Sequence, residues 1–175
     1  QAEVDEATTH LNAAVQELVK AEVKDTLTFA KPKVTLYKGQ KKPQTATVTG
    51  KVQATVYTSR NRKIETVDKK TGKVTAKAAG KVTITAKSGS LKATYTVTVK
   101  NPTLKLTKTS ATVKVGKTTK ITAKATPSGK ITYKSSNKKI ATVSSNGTVK
   151  GIKKGTAKIT VTCNGVSKTF KVTVK

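Results

Sequence analysis

Residues 131–162 read ITYKSSNKKIATVSSNGTVKGIKKGTAKITVT. Short runs of Val, Ile, Ala and Thr are separated by SSNG at 144–147 and KKG at 153–155, and CNG follows at 163–165. Ser, Asn and Gly supply the backbone conformations that reverse a chain, so the runs between them read as short antiparallel strands. Thr and Val are β-branched and stiff at χ1, which suits a pleated surface better than a helix.

The same text occurs a second time. NRKIETV at 61–67 matches NKKIATV at 137–143. After one extra residue in the first copy's turn, Gly72, Val74, Gly80, Ile84 and Val97 to Lys100 match Gly147, Val149, Gly155, Ile159 and Val172 to Lys175. This is a tandem repeat of about 75 residues. Within the first copy, Val82, Ile84 and Ala86 alternate with Thr83 and Thr85, and Tyr95, Val97 and Val99 alternate with Thr94, Thr96 and Thr98. A period of two marks strands buried on one face, and about seven such strands between turn signals fit a sandwich. The copies divide where Lys100 ends a TVTVK strand and Asn101 and Pro102 open the next segment. The expected modules are therefore 26–100 and 101–175.

Residues 1–25 are a different material. Val4, Ala7, Leu11, Ala14, Val15, Leu18 and Val19 recur at spacings of three and four, which predicts an amphipathic helix over about 2–22. Six acids and two lysines give this segment a net charge of −4, whereas 34 basic and two acidic residues give 26–175 a net charge of +32. The helix reads as the end of a preceding region. Its apolar stripe is expected to pack on residues before Gln1 or on the first module. Opening at Gln1 without Met or a leader reads as a piece of a longer or processed protein. No run of 18 apolar residues is present to span a bilayer as a helix.

The 131–162 stretch resembles the bacterial immunoglobulin-like domains of group 2. Members read W-x-S-x-[ND]-x-x-[VI]-A-x-V, then G-x-V-x-[AG], then G-x-[AV]-x-[IV]-x-[AV]. Here Tyr133 stands where Trp is usual, and Ser135, Asn137, Ile140, Ala141, Val143, Gly147, Val149, Gly151, Gly155, Ala157, Ile159 and Val161 fill the other positions. Tyr57, Ser59, Asn61, Ile64, Val67, Gly72, Val74, Ala76, Gly80, Val82, Ile84 and Ala86 follow the same pattern, with Glu65 replacing the usual Ala. The resemblance implies an all-β fold: two tandem immunoglobulin-like antiparallel β-sandwiches behind one N-terminal α-helix. It also implies a secreted or cell-wall-attached bacterial protein in which such domains serve as spacers or binding modules. These motif residues are expected to build core and turns, with the Asn serving local backbone groups in a corner and Tyr57 and Tyr133 buried as equivalents.

The charged residues bound the chemistry. The 101–175 module has no Asp, Glu or His, which leaves no carboxylate pair, Ser-His-Asp triad or carboxylate calcium cage there. Glu65 and Asp68 read as solvated charges paired with nearby Lys or Arg. An alternative for Glu65 is to assist an internal Lys–Asn cross-link, which requires a buried carboxylate. His10 has no second ligand at a metal spacing, and Cys163 has no His in its module, so it reads as a buried or idle thiol. No catalytic, cofactor or metal residue is expected.

Two functions remain: a non-catalytic spacer, or a module that binds cell-wall or host glycans and other polyanions through Lys charge. For the second, Arg60, Arg62 and Lys63 are the expected contacts, because Arg60 and Arg62 are the only forked donors among 36 basic residues. Specific nucleic-acid recognition is not expected, since the six aromatics are scattered, and Tyr37 is the one aromatic expected at the surface. Flanking domains of the same polypeptide are the expected partners, with the chain itself monomeric.

Overall fold

The computed structural model describes residues 2–19, 25–49 and 55–175. Helix α1 covers Ala2–Val19. Glu3 and Asp5 complement the positive end of its dipole, and the Thr8 and Thr9 hydroxyls donate to the Val4 and Asp5 carbonyls at 2.6 and 2.8 Å. The expected end of the helix at 20–22 lies outside the described residues. The expectation that the first module covers its stripe is corrected: Val4, Leu11 and Val15 are 64%, 66% and 48% exposed. At spacings of seven and four these three residues lie along one side of α1, and that side meets solvent.

The chain divides into two compact units, 1–99 and 100–175. The first holds β1 (Thr26–Thr28), β2 (Lys33–Tyr37), β3 (Lys41–Pro43), β4 (Thr47–Thr49), β5 (Val56–Ser59), β6 (Glu65–Val67), β7 (Lys73–Ala76), β8 (Gly80–Ser88) and β9 (Leu91–Lys100). The second holds β10 (Thr103–Leu106), β11 (Ser110–Val113), β12 (Thr118–Lys120), β13 (Ala123–Thr126), β14 (Thr132–Ser135), β15 (Ala141–Val143), β16 (Thr148–Gly151), β17 (Gly155–Cys163) and β18 (Val166–Val174). The topologies are identical. A four-stranded sheet β2-β9-β8-β5 faces a three-stranded sheet β3-β7-β6, with a short β1-β4 pair, and the second unit repeats this as β11-β18-β17-β14, β12-β16-β15 and β10-β13.

Each core lies between its own sheets. Val74, Ile84 and Val97 are fully buried in the first unit, as are their counterparts Val149, Ile159 and Val172 in the second. Burying each such side chain contributes about 1.5–3 kcal/mol. The long hairpins set the register: Ile84 faces Tyr95 across β8 and β9, and Ile159 faces Phe170 across β17 and β18. Asn164 (φ 50°) and Gly165 (φ 76°) form the two-residue turn that joins β17 to β18, the left-handed pair that matches the twist of a hairpin.

The second module is not purely antiparallel. β11 runs parallel to β18, with Ser110 opposite Lys171 and Val113 opposite Val174. Only three residues separate β10 from β11, and here they do not form a hairpin, because β10 pairs with β13 and β11 with β18. The link carries the chain from the β10-β13 pair to the four-stranded sheet, where β11 lies alongside the last strand.

Candidate functional site

The corner between β5 and β6 carries the chain from one sheet to the other, and its backbone is held by the S-x-N residues of the motif. The Asn61 N–H donates to Ser59 Oγ at 3.2 Å, the Lys63 N–H donates to Asn61 Oδ1 at 3.0 Å, and the Ile64 and Glu65 N–H groups donate to the Asn61 carbonyl at 3.2 and 3.3 Å. The second module repeats these bonds around Asn137 and adds one from Ser135 Oγ to the Ala141 carbonyl at 2.6 Å. Asn thus serves local backbone groups in both corners.

Arg60, Arg62 and Lys63 project from the first corner, and all three are exposed. Their side chains make no hydrogen bond or ion pair among the described residues. This leaves two guanidinium forks and an ammonium facing solvent on one turn, a group able to contact the phosphate, sulfate or carboxylate groups of a polymer. Lys138 and Lys139 occupy the matching turn of the second module.

Two other surfaces have the same character. On the outer face of the first four-stranded sheet, Thr58 stands opposite Thr85, Thr85 opposite Thr94, and Thr83 opposite Thr96, with Lys81, Lys87 and Lys92 at the margins. In the second module a hollow of about 470 Å³ is lined by Thr107, Ser110, Thr112, Thr119, Lys108 and Lys120 among others. Hydroxyls and ammonium groups there can accept a polar or anionic group; no carboxylate lines the hollow.

Three expectations about individual residues are corrected. Glu65 is not solvated: it is 0% exposed, and neither carboxyl oxygen has a hydrogen-bond partner among the described residues. It occupies an inward position of β6, equivalent to buried Ala141 on β15. The cross-link alternative gains nothing from this, because neither Asn61 nor Lys77 is buried with it. Second, Tyr57 is buried at 2% exposure, but Tyr133 is only half-buried. Phe29 lies 6.5 Å from the Tyr57 ring, centroid to centroid, whereas the smaller Leu106 packs against the second core. Third, Tyr37 is half-buried, so each of the six aromatics is at least half-buried and none forms an open stacking platform.

Asp68 is exposed, as expected of a solvated charge, but its partners are backbone groups. Its Oδ1 accepts from the Thr71 N–H and hydroxyl at 2.7 Å each and from the Lys70 N–H at 3.1 Å. The Thr71 backbone bond, followed by the Thr71 hydroxyl, holds this carboxyl below its ordinary value of 3.8. Cys163 is a buried free thiol. Among the described residues no cluster of His, Cys, Asp or Glu could hold a metal ion, and no helix is long and apolar enough to cross a membrane.

Residues 23–99 and 101–174 each match the model of the bacterial Ig-like domain (group 2). No curated protein matches the chain. Among solved structures the chain is similar to the S-layer protein SbsC at 26% identity and a TM-score of 0.45, over 89% of this chain and 28% of that one. A structure of SbsC domains 4 and 5 gives 26% identity and a TM-score of 0.43, covering 88% of this chain and 99% of that one. The I9–I11 tandem from titin gives 14% identity and a TM-score of 0.49, covering 85% and 66%. The chain spans little more than a quarter of the S-layer chain.

Proposed function

Since the chain belongs to the bacterial immunoglobulin-like domain family of group 2, we propose that it is a non-catalytic tandem spacer in a secreted or surface-attached bacterial protein. The observation that carries this reading is the parallel β11–β18 pair. These strands lie near opposite ends of the second module's chain, so pulling the ends apart slides one strand along the other and loads their hydrogen bonds together. Further bonds extend the seam: the Lys171 N–H donates to the Thr109 carbonyl at 2.8 Å, the Lys175 N–H to Val113 at 3.0 Å, and the Val115 N–H to Lys175 at 3.1 Å. Such a module resists extension, as a stalk requires. Charged side chains at its surface keep it soluble and guard its sheet edges.

A second reading is adhesion to cell-wall or host glycans and other polyanions, supported by the unpaired Arg60, Arg62 and Lys63 on one exposed turn. The two readings separate in a competition experiment on the intact chain. For a spacer, heparin, teichoic acid and single-stranded DNA of equal charge density compete equally and elute at a few hundred millimolar salt, because diffuse Lys charge acts by counterion release. An adhesin retains one glycan at high salt and loses it when Arg60, Arg62 and Lys63 are replaced, while replacing other lysines has no such effect.

A further inference from the structure

The two modules share their topology, and at one pair of facing core positions they differ sharply in polarity. The second module places Ala141 on β15 and Phe170 on β18, both buried. The first places Glu65 on β6 and Tyr95 on β9 at the same sites, 0% and 2% exposed. Glu65 lies opposite Ala76 and Tyr95 opposite Ile84, each strand contributing to a different sheet, so both side chains point into the same sandwich. Phe29 packs on Tyr95, with their ring centroids 4.5 Å apart. The Tyr95 hydroxyl and both Glu65 oxygens lack hydrogen-bond partners among the described residues. One copy of a repeat thus holds an acid and a phenol where the other is wholly apolar.

We propose that the Glu65–Tyr95 pair makes the first module a proton-dependent element of the tandem, one that folds with a proton held on the Glu65 carboxyl and loosens as pH rises, beside a second module indifferent to pH over the same range. An ionised carboxylate without partners in an apolar interior costs several kcal/mol, so the group stays neutral instead. The groups that face it are few. Ser59 approaches from β5, Lys77 from the segment after β7 and Tyr95 from β9, and Tyr95 in turn is approached by Tyr57. Only Lys77 carries charge, and it is exposed. Desolvation therefore dominates and raises the carboxyl above its ordinary 4.5, against smaller opposing effects of the Ser59 hydroxyl and Lys77. Desolvation, with the Glu65 charge next, also pushes the Tyr95 phenol up, so it remains neutral throughout.

The sign of the pH dependence follows. Above 4.5 the unfolded chain gives up the Glu65 proton while the folded module keeps it, so folding takes up a proton. The stabilising effect is fully present below 4.5, and each pH unit above it lowers the folded-to-unfolded ratio by up to about tenfold, until the folded carboxyl itself ionises. Asp68, held low, acts in the opposite direction only below 3.8. The second module has no Asp, Glu or His to titrate in this window.

The test is urea unfolding of the intact 175-residue chain at pH 5, 6, 7 and 8, followed by amide NMR signals of Val74 and Val97 for the first module and Val149 and Val172 for the second. The first module's folding equilibrium should fall by up to about tenfold per pH unit before levelling, while the second stays constant. Glu65→Gln and Glu65→Ala should each remove the slope. A first module that is flat with pH, or a slope that survives Glu65→Gln, overturns the proposal. Should both variants fail to fold, a carbon-13 titration of the wild-type Glu65 carboxyl decides: a midpoint above 4.5 supports the proposal, and one at or below 4.5 refutes it.

Discussion

Gly147→Ala isolates a contact that explains why the motif pairs its aromatic residue with a turn glycine. Gly147 has φ +83°, and a Cβ built on it would lie 2.8 Å from Tyr133 Cζ and 3.0 Å from the Ile121 carbonyl oxygen. Gly116, in the same module, has φ +79° with nothing within 4 Å of the same position. Left-handed backbone costs an L-residue about 1–2 kcal/mol, and the loss of unfolded-state freedom returns about 0.4–1 kcal/mol. Gly116→Ala should therefore destabilise the second module by roughly 1 kcal/mol. Gly147→Ala carries the same strain and must also displace the Tyr133 ring, which adds about 1–3 kcal/mol. Its total of roughly 2–4 kcal/mol lowers that module's Tm by about 10–25 °C. Pulse labelling of Cys163, buried at 2% exposure in the same module, reads this across a urea gradient. Equal midpoints for the two variants would refute the reasoning, because the ring contact would then contribute nothing.

Tyr57→Ala should destabilise the first module by about 3–5 kcal/mol, since the ring is buried and its Oη accepts the Ala46 N–H at 3.0 Å; Tyr133→Ala, at a half-buried site, should cost its module less, and thermal melts of the two variants compare them. Asp68 should titrate below 3.8 in a carbon-13 NMR series, and the turn it caps should lose order as pH falls through that lower value; a midpoint at or above 3.8 would contradict the capping geometry. Raising salt from 0.1 to 1 M shortens the Debye length from about 10 to about 3 Å, so self-repulsion of the lysines should weaken and both modules should unfold at higher temperature.

The parts of the fold legible in the sequence are those fixed by short-range pattern. Val82, Ile84 and Ala86 point inward and alternate with Thr because a strand has a period of two, and turn residues such as Asn164 and Gly165 appear where left-handed backbone is required. The parallel β11–β18 seam was not legible, because the direction of pairing depends on where a three-residue link between two strands leads in space. Glu65 runs against expectation for a related reason: charge argues for exposure, whereas its place in the strand alternation argues for burial, and burial prevails. The signal was available in the alignment of the copies, where Glu65 falls on the inward position of Ala141. The unequal burial of Tyr57 and Tyr133 depends on Phe29 against Leu106, a difference outside the motif. For the candidate site, the adjacency of Arg60, Arg62 and Lys63 was plain from sequence. Their lack of internal partners required the structure.

The spacer reading is tested most directly by stretching the intact chain between handles at its two ends. Each core is built from its own module's residues, so the account predicts two separate unfolding steps, each releasing up to about 25 nm for a module of about 75 residues, with the second module resisting through its β11–β18 seam. A single step of about 50 nm, or extension without a resisting step, would contradict it.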